Sequence, residues 1–212
     1  MSDLRIGRYV LGMAQTNSFF VCTDDDNADK QALVIDPADR GDYIFEKLSE
    51  KGLKVAGILL THGHFDHILG ANKLRELSGA KIYAYAAEKL VLENTEQNVS
   101  SEVGMPCTVK ADEYLEDGAS VSLADMTFTL IATPGHTMGS ACYYFAAQGI
   151  LFSGDTLFEQ SVGRTDLPTG NMGTLTKSIR EKLFILPEHV KVYPGHGEPT
   201  SIGSEKENNP FV

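Results

Sequence analysis

The chain has 18 lysines and arginines against 29 aspartates and glutamates, and nowhere are its cations gathered into a run. Phosphate backbones are held by clustered Lys and Arg, so nucleic acid is excluded as a partner. Hydrophobic runs are short as well. No stretch approaches the ~18 apolar residues of a membrane span. Met1 to Met13 also lacks the basic start and apolar stretch of an export signal. The expectation is a cytoplasmic protein with no membrane partner. Cysteine is scarce: Cys22, Cys107 and Cys142 are odd in number, far apart and never in a C-x-x-C pair. That excludes a disulfide framework and a thiolate zinc knuckle, leaving reduced thiols, two of them in apolar runs where small buried residues belong. No shift in composition divides the 212 residues, which suffice for one substantial core, so residues 1–212 read as a single domain.

Histidine, by contrast, is concentrated. Residues 61–67 read T-H-G-H-F-D-H and place His62, His64, Asp66 and His67 within six positions, directly after an apolar run. Further downstream stand His136 in T-P-G-H-T, Asp155 in F-S-G-D-T and His196 in Y-P-G-H-G. Five of the 6 histidines thus answer to one hypothesis, a metal site, and only His189 stands outside it as an ordinary surface residue.

Periodicity supplies the scaffold. Strands are expected over Asn17–Cys22, Ala32–Ile35, Val55–Leu60, Val121–Leu123, Met126–Ile131, Ala141–Phe145, Ile150–Phe152 and Lys191–Tyr193. Helices are expected over Asp42–Lys51, Ile68–Leu77 with Gly79 as its stop, and Leu175–Phe184 with Pro187 beyond it. The acidic segment Asp24 to Lys30 reads as a solvated hairpin tip, and the tail from Thr200 as one short helix with an ordered end. This mixed order suggests an α/β sandwich. Each candidate ligand follows an apolar strand, so strand ends can bring them together at one edge, where loops on a rigid scaffold carry chemistry.

Neutral imidazole and carboxylate suit Zn²⁺ and also Fe or Mn. Seven ligands exceed what one tetrahedral ion can use, and a carboxylate such as Asp155 can bridge two ions, so a binuclear site follows. Two such ions about 3.5–4 Å apart ionise a water near neutral pH and polarise a carbonyl or phosphoryl oxygen. Asp36, after the strand Leu33 to Ile35, is either an acceptor fixing a ligand imidazole or the turn residue before Pro37. Arg164 with Asp166 is either a local ion pair or a direct substrate contact. Tyr143 and Tyr144 read as strand residues.

H-x-H-x-D-H, then G-H-T, S-G-D-T and G-H, resembles the metallo-β-lactamase superfamily over nearly the whole chain. Within it, G-D-T-L-F at 154–158, G-R-T-D-L-P at 163–168, Y-P-G-H-G-E-P-T and the closing N-P-F are similar to compact glyoxalase II-like hydrolases. The resemblance implies a four-layer αββα sandwich. It also implies a first metal on His62, His64 and His136, a second on Asp66, His67 and His196, Asp155 bridging, and Asp66 orienting the attacking water. It further implies a small-molecule substrate, foremost a thioester such as a hydroxyacyl-glutathione, and two divalent ions, foremost zinc. In full-length glyoxalase II a basic residue and a tyrosine after the bridging Asp, with an added helical domain, hold glutathione. Here Arg164 stands for the first, Asp166 occupies the tyrosine's place, and few residues follow His196. The true β-lactamases are normally exported, and several carry Cys where Asp155 stands. The rival functions are a persulfide dioxygenase with one iron on His62, His136 and Asp155, and a non-catalytic metal-binding protein.

Overall fold

The computed structural model describes residues 3–23 and 30–212; the acidic segment 24–29 lies outside them. One sheet contains β1 (Leu4–Leu11), β2 (Thr16–Thr23), β3 (Gln31–Ile35), β4 (Lys54–Leu59), β5 (Lys81–Tyr85) and β6 (Glu113–Leu115), hydrogen-bonded in that order. The first three run antiparallel; β3 to β6 pair in parallel. The second half of the chain contributes β7 (Ser120–Leu123), β8 (Met126–Ala132), β9 (Ala141–Phe145) and β10 (Ile150–Gly154). It continues with the small ribbon β11 (Leu157–Phe158) and β12 (Ser161–Val162), then β13 (Lys191–Pro194) and β14 (Thr200–Ser201). The second sheet has the order β14-β13-β10-β9-β8-β7, with β10 and β13 parallel. The helices are α1 (Gly41–Glu50), α2 (Phe65–Ile68), α3 (Ala71–Ser78), α4 (Lys89–Leu92), α5 (Met172–Ser178) and α6 (Ile202–Asn208).

Strand alternation explains the layering. Along β3, Ala32 and Val34 point into a cluster with Ile44 and Leu48 of α1 and Leu74 of α3, whereas Leu33 and Ile35 point the other way. There they meet Phe128, Tyr143, Phe145 and Phe152 of the second sheet. Along β9 and β10, Cys142 and Leu151 face outward onto Leu175, Ile179, Leu183 and Ile202. Three apolar layers thus separate four layers of secondary structure, the αββα sandwich. A strand buried on both faces must be apolar almost throughout, which is why these segments read as continuous apolar runs rather than alternating ones.

Three expectations need correction. The helix expected over Ile68–Leu77 is split: α2 ends at Ile68, and Gly70 donates its N–H to Ala38 O at 2.7 Å before α3 begins. Gly79 caps α3 in the left-handed conformation, φ 73°. The helix expected over Leu175–Phe184 starts earlier, where the Asn171 side chain accepts from Thr174 N–H, and its last turn, Ile179–Leu183, is a π-turn. β1, β5 and β6 escaped the periodicity reading altogether. The tail forms α6 as expected, held by buried Glu205 and by Asn209, whose Nδ2 donates to Ser161 O at 3.0 Å.

Candidate metal centre

β4 lies inside the first sheet, and the chain leaving it carries Thr61, His62, Gly63 and His64 into α2, which holds Asp66 and His67. His136 lies beyond β8, Asp155 directly beyond β10 and His196 just beyond β13, all in the second sheet. One edge of the sandwich therefore collects ligands from both sheets. Gly195 makes this approach possible, because a Cβ there would collide with the Asp155 carboxylate and with the His67 ring.

Six of the seven residues gather into two trios. One ligand atom each from His62, His64 and His136 lies within 4.8 Å of the others, as does one each from Asp66, His67 and His196. Asp155 lies between them: its Oδ1 is 3.3 Å from His67 Nε2, and its Oδ2 is 3.6 Å from His136 Nε2 and 3.5 Å from His196 Nε2. His189 is exposed and away from this cluster, as expected.

Neighbouring groups fix which nitrogen three of the five rings present. Asp36 Oδ2 lies 2.9 Å from His67 Nδ1 and accepts the Thr61 hydroxyl at 2.6 Å, while Oδ1 accepts Thr61 N–H at 2.8 Å. With its only proton given to Asp36, the Thr61 hydroxyl must accept from His62 Nδ1, 3.1 Å away. His136 Nδ1 donates to Arg164 O at 2.7 Å. The Nε2 atoms of His62, His67 and His136 consequently face the cluster. Asp36 has φ 47°, a left-handed conformation that Asp tolerates better than most residues, so it is both turn residue and acceptor.

This arrangement fits cations. His62 Nε2 and His136 Nε2 direct lone pairs at each other across 3.2 Å, a repulsive contact unless a cation lies between them. His67 Nε2 and Asp155 Oδ1, 3.3 Å apart, are buried yet make no well-aligned hydrogen bond, although buried polar atoms are normally satisfied. The donor set, imidazole nitrogen and carboxylate oxygen, suits a first-row divalent ion.

The two trios differ electrostatically. Burial, reinforced by His136, pushes His64 down to about 3 and also lowers His62 and His136. Burial works against the charged form of His196 too, but the carboxylates of Asp155 and Asp66, 3.5 and 3.3 Å from its Nε2, raise it to about 9. The carboxylates Asp66, Asp155 and Asp36 likewise outweigh burial to raise His67. Burial opposes ionisation of Asp66, yet neighbouring His67 and His196 bring it down to about 2.

Several residues of the site were not foreseen from the sequence. The Thr16 hydroxyl donates to Asp66 Oδ2 at 2.7 Å. Asn17 holds the His196 loop, its Nδ2 donating to Pro194 O at 3.0 Å and to Gly197 O at 2.9 Å. Glu88, 1% exposed, accepts from Gly63 N–H at 2.7 Å through Oε1, and from the Thr137 hydroxyl and Gly139 N–H, both at 2.9 Å, through Oε2. Arg164 is bidentate to Asp166, at 2.7 and 2.6 Å, the local ion pair rather than a bare cation. A cavity of about 240 Å³ opens over the cluster, walled by Ala14, Phe65, Val99, Leu167 and Arg164.

A family model described as the metallo-beta-lactamase superfamily matches residues 11–196. The chain belongs to that superfamily. Among curated relatives it is 39% identical to the probable metallo-hydrolase YqgX of Bacillus subtilis, with 97% of this chain and 96% of that one covered. It is 33% identical to the hydroxyacylglutathione hydrolase GloC of Haemophilus influenzae, over 87% and 88%. Two solved structures share its fold closely. The BLEG-1 B3 metallo-beta-lactamase superposes with a TM-score of 0.90 at 38% identity, covering 98% of this chain and 99% of that one. TTHA1623 in a di-iron-bound form gives 0.85 at 31%, covering 97% and 100%. Membership of this metallo-hydrolase superfamily, the paired His/Asp clusters and the di-iron neighbour together support a binuclear metal site. No helix among the described residues is long and apolar enough to cross a membrane.

Proposed function

We propose that residues 1–212 form one cytoplasmic hydrolase domain that cleaves small thioesters, foremost a hydroxyacyl-glutathione, at two zinc ions. The observation that carries this reading is the pair of trios with Asp155 between them. His62, His64 and His136 would hold the first ion and Asp66, His67 and His196 the second, with Asp155 available to both; iron or manganese would accept the same donors. Bound there, the ions supply a water that ionises near neutral pH and a Lewis acid for the acyl oxygen.

The chain's own residues do the positioning. Asp66, held by Thr16, aims Oδ2 at the cluster, 3.3 Å from His196 Nε2, and orients the attacking water. Asp36 fixes the His67 ring. Phe65, Val99 and Leu167 offer an apolar wall to the acyl group. Arg164 stands at the rim, 62% exposed, with part of its guanidinium free to meet a substrate carboxylate. The 33% identity with the hydroxyacylglutathione hydrolase GloC supports the thioester. A one-iron dioxygenase built on His62, His136 and Asp155 would leave the second trio unused.

The test takes one metal-replete preparation through four measurements: metal per chain, hydroxyacyl-glutathione hydrolysis, oxygen consumption with a persulfide, and cleavage of a chromogenic cephalosporin. Two ions and thioester turnover are expected. A single tightly bound iron with oxygen uptake would replace this reading by the dioxygenase. Two ions with cephalosporin cleavage and no thioester turnover would replace it by the chemistry named for BLEG-1.

A further inference from the structure

We infer that Glu88 is a positioning residue that sets the distance between the loops carrying His62 and His64 on one side and His136 on the other. The inference rests on the proposed assignment of these three histidines as ligands of one ion.

The topology places Glu88 where it can do this. β5 pairs in parallel with β4, so the 3₁₀ turn Ala86–Glu88 that follows β5 rises beside the loop that follows β4. The His136 loop reaches the same place from the opposite sheet. Each carboxylate oxygen serves a different loop. Oε1 takes Gly63 N–H, between His62 and His64; Oε2 takes the Thr137 hydroxyl and Gly139 N–H, just past His136. The packing leaves no slack. A Cβ on Gly63 would come within 2.9 Å of Val91 Cγ1, and one on Gly139 within 2.6 Å of Glu88 Cα. Both loops therefore sit directly on the segment that bears Glu88.

The chemistry of the clamp is selective. All three partners are neutral donors, so only a group that accepts at both ends, and is long enough to reach both loops, satisfies them. Glutamine would turn an NH₂ toward an N–H at one end. A buried carboxylate held by neutral donors is costly for a fold, and apolar side chains fill such space more cheaply. Its placement between two ligand loops gives the cost a purpose. Groups that orient metal ligands from behind typically change metal affinity about 10- to 100-fold when removed.

The control is Glu205, an equally buried carboxylate that accepts from Gln160 N–H at 2.9 Å, the Thr200 hydroxyl at 2.5 Å and Asn209 Nδ2 at 2.9 Å, none of them beside a ligand. Full-length apoprotein is titrated with Co²⁺ against a competing chelator, and the cobalt absorption band reports coordination. The His196→Ala background isolates the first trio, and the His64→Ala background isolates the second. Glu88→Gln is expected to weaken cobalt binding at the first trio about 10- to 100-fold and to shift its band, leaving the second within about threefold. Glu205→Gln should move neither, even with an equal fall in melting temperature. Thr137→Val, which removes one donor and keeps the carboxylate, should weaken the first trio by a smaller factor and carries the test if Glu88→Gln does not fold. Equal effects of Glu88→Gln and Glu205→Gln, equal weakening of both trios, or a silent Thr137→Val paired with an unfolded Glu88→Gln would overturn the inference. Failure of the parent protein to bind cobalt at either trio would instead overturn the metal assignment itself.

Discussion

His64 and His196 lie at the same edge of the fold yet hold protons with opposite strength. His62, His64 and His136, all lowered by burial, are neutral at pH 7, so an ion entering that trio displaces no proton. His67 and His196 are raised by their carboxylates, the latter to about 9, so an ion entering there competes with protons. Affinity at the second trio should therefore rise with pH, about tenfold per unit for each proton displaced, up to about pH 9, while the first stays nearly flat above neutrality. The sign for the apoprotein follows from the same shift: His196 stabilises it fully below its ordinary value of 6.5, and this contribution is lost as pH rises through about 9. Calorimetric titration in two buffers of different ionisation enthalpy counts the protons; equal release at both trios would refute the assignment. Arg164 permits a second test at this scale, because His136 leans on its carbonyl rather than its side chain. Arg164→Ala should raise KM more than it lowers kcat for an anionic thioester, by roughly fivefold given its exposure, and spare a neutral thioester with the same acyl group. Equal loss on both would make Arg164 a loop residue only. The candidate ligands were legible because imidazoles crowd residues 62–67 and recur after apolar strands. Thr16, Thr61 and Glu88 were not, since a hydroxyl or carboxylate acting from behind a ligand has no local signature and its partner can stand 50 residues away.

Between elements, one of the links near the site runs from one sheet to the other. Tyr143 of β9 is fully buried, and its hydroxyl donates to Leu60 O at 2.9 Å, two residues before His62. Tyr83 O, at 3.2 Å from the same hydroxyl, already accepts Leu60 N–H. Tyr143→Phe keeps the packing against Phe128 but removes this donor from a buried carbonyl. It should cost about 1–3 kcal/mol in urea unfolding while metal content stays unchanged. No loss of stability would mean the hydroxyl contributes nothing to joining the sheets. Buried strands such as β3, β9 and β10 were readable because double-sided burial demands unbroken apolar runs. β1 was not: it is a half-exposed edge strand with Arg5, Gly7 and Arg8 among its residues, and its pairing with β2 supplies what its composition does not. Missing β5 had a functional consequence, because Glu88 follows its end just as the ligands follow theirs. The split between α2 and α3 was equally hidden, since the hydrogen bond from Gly70 to Ala38 O is a long-range contact.

Across the whole molecule, the proposed ions would join two half-sandwiches. Four of the seven candidate ligands follow β4 in the first sheet, and His136, Asp155 and His196 leave the second. Filling the site therefore ties the halves at one edge, in addition to the apolar layer between them. That layer and the two outer ones do not depend on metal, so the apoprotein should remain folded. An ion that binds only the folded state at a hundred times its Kd adds about 2.7 kcal/mol. Two ions should then raise the melting temperature on the order of 10–20 °C, because about 1 kcal/mol moves a chain of this length by 2–4 °C. His196→Ala, which breaks one trio and spares the other, should retain roughly half of that gain. Scanning calorimetry of metal-replete and chelator-treated protein, with and without this substitution, measures both quantities. If chelation leaves the transition where it was, the two sheets are not joined through the cluster, and the paired trios are not a metal centre.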